Sequence, residues 1–428
     1  MTHRLRALDV FRGATVALMI LVNNPGSWGA LYAPLAHPPW HGCTPTDLVF
    51  PFFMFAVGNA LALVLPGLRA AGAAVFWPRV IRRTLLIFAI GLLLNAAPFV
   101  RWDAAGDLVL RSWDTLRVMG VLQRIALCFG AAAAIVWWAG RRGAGGPLVA
   151  VAALLLGYWA ACEIWGAPGD VYSLQGWFGT AIDRRVLGAA HLYKGEGVPF
   201  DPEGLVSTVP AVAQVLLGWW AGQMVSQALA GGIGGIGGPA QAAPLRPLLL
   251  KLFAGGALLL VLAALWQLQM PLNKKIWTSS YVLFTTGLAL WTLALCIALM
   301  PPQTHQQRQP GPPARPGIAP VVGVLRAVGR VAAGFFEVFG RNPLFIFVLS
   351  GLVPRLLGLL RWPAGLDAQG QVLWATPLPW LHQHAFAPLG GLLSNDPRLG
   401  SLLYAVAHLL PYAALAWWLD RRRIYLRV

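Results

Sequence analysis

A polar segment near the start of the chain contains the residue types needed for proton transfer. His37 and His41 lie on either side of Trp40, Asp47 follows, and Asn23 ends the preceding apolar run. An imidazole can act as a general base, a carboxylate can hold it in one tautomer, and an amide can donate to an oxyanion. These groups are suited to acyl transfer to an amine or hydroxyl. Spacing alone does not distinguish His37 from His41 as the base.

Composition places this segment in a membrane protein. The 428 residues are 57% hydrophobic and 11% charged, with 20 Trp. Long apolar runs without alternation predict an all-α, polytopic membrane helix bundle. The net charge of +17 agrees with Lys and Arg gathering in cytoplasmic loops, so we expect membrane lipid as a partner and no nucleic acid. The four cysteines show no metal or disulfide spacing, and no metal is predicted.

Ten windows are long and apolar enough to cross a membrane, and we expect them to form a single domain over residues 1–428. The windows are 9–25, 47–66, 81–99, 116–139, 147–165, 207–229, 249–270, 277–300, 333–360 and 400–419. Two loops, about 230–246 and 301–325, are rich in Gly or in Pro and Gln, and we expect flexible tethers there.

The distribution of basic residues predicts the orientation. One set of alternate loops is rich in Arg and nearly free of acids, and it includes both chain ends. Both termini are therefore predicted to be cytoplasmic, with His37 on the opposite side of the membrane. The outer loops 26–46, 166–206 and 361–399 are long and rich in aromatic residues, as functional loops commonly are.

Gln123 and Arg124 lie inside the fourth window. An arginine at this depth can line a polar cavity for an anionic group. The alternative is a structural ion pair with Asp9, Asp47 or Glu337.

Asp201 and Glu203 precede the sixth window. They can bind sugar hydroxyls or an ammonium group at the outer mouth, or they can simply cap a helix N-terminus.

Two further positions allow a functional and a structural interpretation. Lys274 lies with Lys275 in a short outer turn, where lysines oppose the usual charge bias or extend to the membrane interface. Asn342 follows Gly340-Arg341 in the ninth window, at a helix break that either lines a cavity or is a packing kink.

These segments together resemble the membrane domain of the heparan-α-glucosaminide N-acetyltransferase family, including its bacterial relatives. The similar motifs occur in order along nearly the whole chain: Arg4-Leu-Arg-Ala-Leu-Asp9-Val-Phe-Arg12-Gly13, Val22-Asn23, His37-x-x-Trp40-x-Gly42-x-Thr44-x-x-Asp47-Leu-Val-Phe-Pro51, Gly120-Val-Leu-Gln-Arg124, Phe200-Asp-Pro-Glu-Gly204, Pro271-x-Asn273-Lys274, Trp277-x-x-Ser280-Tyr281 and Gly340-x-Asn342.

The resemblance implies a transmembrane acyltransferase fold and acetyl-CoA as cosubstrate. It aligns the family histidine with His37 and its partner asparagine with Asn23. The expected site has three parts: catalytic His37, Asn23 and Asp47; cofactor-binding Gln123, Arg124, Asn342, Arg12 and Lys274; and substrate-binding Trp40, His41, Asp201 and Glu203.

The function expected from these observations is transfer of an acetyl group from cytoplasmic acetyl-CoA to the amine of a small glucosamine-type sugar across a bacterial inner membrane. The expectation allows a homodimer. The alternative is an inner-membrane transporter for amino sugars of the N-acetylglucosamine type, because ten spans, polar intramembrane residues and broken helices suit a permease as well.

Overall fold

The computed structural model describes residues 6–103, 105–143, 145–232, 245–300 and 319–426. Within these ranges the chain forms fourteen α-helices: α1 Arg6–Asn23, α2 Val49–Ala70, α3 Ala73–Ala96, α4 Val121–Ala139, α5 Gly145–Trp165, α6 Gly179–Leu187, α7 Leu205–Gly232, α8 Leu245–Trp266, α9 Ser279–Leu299, α10 Ala319–Arg341, α11 Pro343–Leu357, α12 Pro377–Leu381, α13 Ala387–Leu393 and α14 Pro397–Arg421. The expected all-α membrane bundle is confirmed.

The β-strands in the described part of the chain form two short antiparallel hairpins. β1 Val100–Trp102 pairs with β2 Leu108–Leu110, placing Val100 opposite Leu110. β3 Trp362–Leu366 pairs with β4 Val372–Ala375, placing Trp362 opposite Ala375. The guanidinium of Arg361 lies between the rings of Trp102 and Trp374, at 3.9 and 4.0 Å from their centroids. This contact joins the two hairpins.

Each of the ten predicted windows coincides with a long helix or, in one case, with two consecutive helices. Among the described residues, seven helices have the length and apolarity of a membrane span, and α10 with α11 makes an eighth if that bent pair is one span. The other two windows form α1 and α3, which each carry three charged residues: Arg6, Asp9 and Arg12 on α1, and Arg79, Arg82 and Arg83 on α3. The predicted tethers fall largely outside the described residues, in 233–244 and 301–318.

Glycines allow the central helices to approach closely. A Cβ atom at Gly58 of α2 would overlap the backbone of Val215 in α7, and one at Gly218 of α7 would overlap the backbone of Phe55. Small residues are typical of close helix crossings in membranes, where packing supplies much of the association energy. The α2–α7 pair forms the centre of the bundle, and α5 and α8 bury much less of their surface against it.

The loops that precede α2, α4, α7, α9 and α14 gather at one end of the bundle, which we call the His37 end. At the opposite end, Arg341 binds Glu337 and Asp420, and Arg6 binds Glu337 at 2.6 Å. We call this the Arg341 end. The polar loop residues around His37 lie at the His37 end.

The chain bends by 81° between α10 and α11. The break is at Asn342, whose backbone leaves helical geometry, and Pro343 starts the next helix. The amide of Asn342 donates to the carbonyl of Ile424 (3.0 Å) and accepts from the N–H of Leu426 (2.8 Å). The expected helix break is thus present, and its amide fixes the segment that follows α14.

Candidate active site at the His37 end

A short 3₁₀ turn before α2 positions the central carboxylate of the site. Thr44 precedes this turn, Pro45–Leu48, and Asp47 accepts from both the N–H (3.0 Å) and the hydroxyl (3.2 Å) of Thr44 through Oδ2. The side chain of Tyr281 in α9 donates to the backbone carbonyl of Asp47 at 2.5 Å. Asp47 is 1% exposed. These contacts fix the carboxylate on a rigid helix start.

His37 binds the other oxygen of this carboxylate. Its Nδ1 lies 2.6 Å from Asp47 Oδ1. An ionised carboxylate only accepts hydrogen bonds, so Nδ1 carries the proton and Nε2 of the neutral ring is left as an acceptor. The His37 side chain is 41% exposed, which leaves the ring accessible. The predicted pairing of an imidazole with an orienting acid is present.

Lys274 also reaches this pair, from the turn between α8 and α9. Its Nζ lies 3.2 Å from Asp47 Oδ1 and 3.3 Å from His37 Nδ1. The turn is rigid because Asn273, fully buried, accepts the N–H groups of Lys275 (2.7 Å) and Ile276 (3.1 Å). The sequence predicted that Lys274 binds the acetyl donor, whereas its observed neighbours are the imidazole of His37 and the carboxylate of Asp47. A role of Lys274 in donor binding stays a prediction.

Trp40 and Lys275 contact the loop that follows α5. The indole of Trp40 donates to the carbonyl of Tyr172 at 2.8 Å, and its ring lies 5.6 Å from that of Phe200. Lys275 donates to the carbonyl of Pro39 and binds Glu196, both at 2.7 Å. The loop that carries His37 is thereby tied to the 166–204 loop.

His41 occupies a different environment from His37. Its Nδ1 lies 3.4 Å from the amide nitrogen of Asn273, and partial burial lowers the pKa of His41 despite the opposing effect of Asp170. Among the described residues, no carboxylate forms a hydrogen bond or ion pair with this ring. The geometry therefore favours His37 over His41 as the oriented base, a choice that spacing alone could not make.

Asn23 is the last residue of α1 and is exposed at the His37 end. The chain just after it is fixed to α14, because Gly26 donates to the carbonyl of Ser401 (3.3 Å) and Ser27 to its hydroxyl (3.0 Å). Asn23 thus has a defined backbone position and an accessible amide. Its role as an oxyanion donor stays a prediction.

Arg117, which sequence reasoning did not identify, binds both acids that precede α7. Its guanidinium binds Asp201 in a bidentate pair (2.6 and 2.8 Å) and Glu203 at 2.5 Å. Asp201 is 1% exposed, and these carboxylates raise the pKa of Arg117 against the opposing effect of its burial. The contacts of Asp201 and Glu203 are those of a structural clamp, and substrate binding by either stays a prediction. An arginine before a membrane span carries no motif that could have identified Arg117.

Arg124 lies fully buried beneath the same turn. It donates to the carbonyl of Pro202 (2.6 Å) and to the hydroxyl of Ser207, and it lies 4.9 Å from the centroid of the Trp277 ring. The carboxylates considered as ion-pair partners from sequence bind other cations instead: Asp9 binds Arg12, Asp47 binds Lys274, and Glu337 binds Arg6 and Arg341. Arg124 therefore holds the 202–207 segment through carbonyl and hydroxyl oxygens.

The other residues predicted to bind the acetyl donor are spread along the bundle. Gln123 is 1% exposed near the His37 end of α4, and its Nε2 has no hydrogen-bond partner among the described residues. Asn342 lies towards the Arg341 end, and Arg12 binds Asp9 and lines a cavity in the bundle. The structure does not bring these residues together with His37. Their roles in donor binding stay predictions.

The described residues contain no group of three or more His, Cys, Asp or Glu side chains that could hold a metal ion.

Comparison with known proteins supports the resemblance drawn from the motifs. The chain is 26% identical over 339 residues to heparan-alpha-glucosaminide N-acetyltransferase of Homo sapiens, which covers 68% of this chain and 48% of the human protein. The Mus musculus protein of the same name is 26% identical over 266 residues, or 52% of this chain and 39% of its own length. No family model matches the chain. The chain spans about half the length of these curated relatives or less.

Proposed function

We propose that the protein is a membrane-embedded acetyltransferase that transfers an acetyl group from cytoplasmic acetyl-CoA to the amine of a glucosamine-type sugar on the opposite side of the membrane. The observation that carries this proposal is the His37–Asp47 pair, in which Nδ1 contacts a buried carboxylate and Nε2 has no hydrogen-bond partner among the described residues. The names of the similar proteins support the transferred group and the class of acceptor.

The reaction requires removal of one proton and delivery of one proton. As the amine nitrogen forms its bond to the acetyl carbon, its excess proton passes to His37 Nε2. The C–S bond of the thioester then breaks, and the departing thiolate takes a proton, so His37 returns to its neutral state. Asp47 stabilises the imidazolium that exists between these steps, as an orienting carboxylate does in hydrolase triads.

Two groups act on the negative charges of this site, one on the Asp47 carboxylate and one on the oxyanion that develops during the reaction. Lys274 lies 3.2 Å from Asp47 and partly balances the charge of that carboxylate. The Asn23 amide is exposed at the same end of the bundle and serves as the oxyanion donor.

The acceptor site is formed by the outer loops around His37. Trp40 offers an aromatic face, on which sugar rings commonly pack, and His41 lies beside it, with ring centroids 6.3 Å apart. Asp201 and Glu203 shape the neighbouring turn through Arg117. We assign a small amino sugar to this site. The distribution of Lys and Arg favours cytoplasmic positions for both chain termini, and the membrane we propose is a bacterial inner membrane.

A transporter for amino sugars is the second candidate, because α10 and α11 form a broken helix. The Asn342 amide at this break is, however, bonded on both sides by the C-terminal segment. This arrangement stabilises the break without involving a transported substrate.

The two functions are separated by adding acetyl-CoA and glucosamine to the purified protein and measuring free CoA and N-acetylglucosamine. We expect both products in equal amounts. A transporter produces neither, and sugar uptake into proteoliposomes without CoA release would refute the proposed function. Cysteine labelling from outside at positions 166–206 tests the orientation, and protection there with labelling near Arg421 would reverse it.

A further inference from the structure

A cavity of about 90 Å³ lies inside the bundle, between α1, α2, α3, α4 and α11. Its lining is apolar except for Arg12 and Arg83, and no acidic residue is among the lining residues. A volume of this size accommodates several water-sized groups, and hence one phosphate group. A guanidinium group without a carboxylate partner in an otherwise apolar cavity of a membrane protein indicates an anionic ligand, because uncompensated charge at this depth is costly.

The two arginines have different partners. Arg12 binds Asp9 through Nη2, and its Nε is buried with no hydrogen-bond partner within the described ranges. Arg83 lies 4.8 Å from the centroid of the Phe129 ring, and its Nε is likewise buried and unsatisfied. In the part of the chain that the structure describes, no carboxylate forms an ion pair with Arg83. Asp9 thus balances the charge of Arg12, and the charge of Arg83 is the one that the described carboxylates leave unbalanced.

The position of the cavity along α2 relates it to the proposed active site. Phe53 and Ala60 both line the cavity, and they follow Asp47 by six and thirteen residues. At 1.5 Å per residue, the cavity lies roughly 9–20 Å from Asp47 towards the Arg341 end. It is thus within the bundle, between the proposed cytoplasmic side and the His37–Asp47 pair.

We infer that this cavity binds a phosphate group through Arg83 and Arg12, and that the group belongs to the CoA part of the acyl donor. This inference rests on the proposed function for the identity of the ligand. Arg83 contributes the free charge, and its planar guanidinium suits bidentate binding to phosphate oxygens. A phosphate held here leaves the thioester arm to extend along α2 towards His37.

The test compares Arg83→Gln with the wild type for two donors. Acetyl-CoA carries phosphates, whereas S-acetylpantetheine has the same thioester arm without any phosphate. We expect the variant to raise the KM for acetyl-CoA by about tenfold or more, as loss of a charge-assisted hydrogen bond typically does. The KM for S-acetylpantetheine and the kcat with either donor should not change.

Arg82→Gln is the matched control, since Arg82 is the preceding residue of α3 and is exposed. It should match the wild type for both donors. An equal rise in KM for both donors in Arg83→Gln, or no rise for either, would overturn the inference. If Arg83→Gln does not accumulate as folded protein, Arg83→Lys keeps the charge but loses bidentate geometry, and it should show the same donor-selective rise in smaller degree.

Binding without turnover distinguishes this inference from the proposed function. In phosphatidylcholine nanodiscs, CoA should raise the melting temperature of the wild type but not of Arg83→Gln at the same concentration. Such binding without acetyl transfer would refute the proposed function alone. An Arg83-dependent rise caused by phosphatidylglycerol and not by CoA would assign the cavity to a lipid headgroup and overturn the donor assignment.

Discussion

Replacing His37 by Ala should abolish most acetyl transfer while leaving donor binding intact. In the wild type, Asp47 fixes Nδ1 of His37 at 2.6 Å and leaves Nε2 as the proton acceptor. Loss of a positioned general base typically lowers the rate by about 10²–10⁴-fold, which corresponds to about 3–5 kcal/mol of activation free energy. His37 is 41% exposed, so its removal should leave the fold unchanged.

His41→Ala is the internal control for this experiment. His41 contacts the Asn273 amide at 3.4 Å, and no carboxylate orients it among the described residues. It should therefore retain substantial activity.

The assay is CoA release with glucosamine in detergent at saturating acetyl-CoA, with CoA binding measured in parallel. Near-wild-type turnover by His37→Ala would refute the mechanism. Loss of activity in His41→Ala alone would assign the base to His41.

Three further predictions concern the elements that hold the site. Gly58→Ala should lower the stability of the protein in thermal unfolding by about 1–3 kcal/mol, because the added Cβ would overlap the backbone of α7. Gly67→Ala, on the same helix but with open space around the added Cβ, should leave the stability unchanged. Equal effects of the two substitutions would contradict the close α2–α7 crossing. Arg117→Ala leaves the buried Asp201 carboxylate unpaired and should cost roughly 3–5 kcal/mol, measured by denaturant or thermal unfolding; an unchanged melting temperature would show that this clamp is not structural. Burial raises the pKa of Asp183 from 3.8 to about 6, so the folded state binds this proton more tightly than the unfolded state. The resulting stabilisation of the fold is complete below pH 3.8 and is lost as the pH rises through about 6. Asp183→Asn should remove this pH dependence from melting curves, and a wild-type pH dependence in the variant would exclude Asp183 as its source.

The local sequence was sufficient to predict the helical bundle. Long apolar runs produce spanning helices in almost any arrangement, because backbone groups in lipid must be satisfied within the segment. Each of the ten windows accordingly forms helix. The motif around His37 was also readable, since Thr44 and Asp47 interact within one turn, three residues apart.

The tertiary structure decided which distant side chains meet. Lys274 and Tyr281 reach Asp47 from more than 200 residues away, and Arg117 reaches Asp201 from another loop. Such contacts depend on how the helices pack, which the hydrophobic pattern along one helix does not specify. The same packing places Arg12 and Arg83 around one cavity, although each by itself is only an arginine in an apolar helix. The sequence therefore determined the helices and the types of reactive group, and the packing of the helices determined their partners.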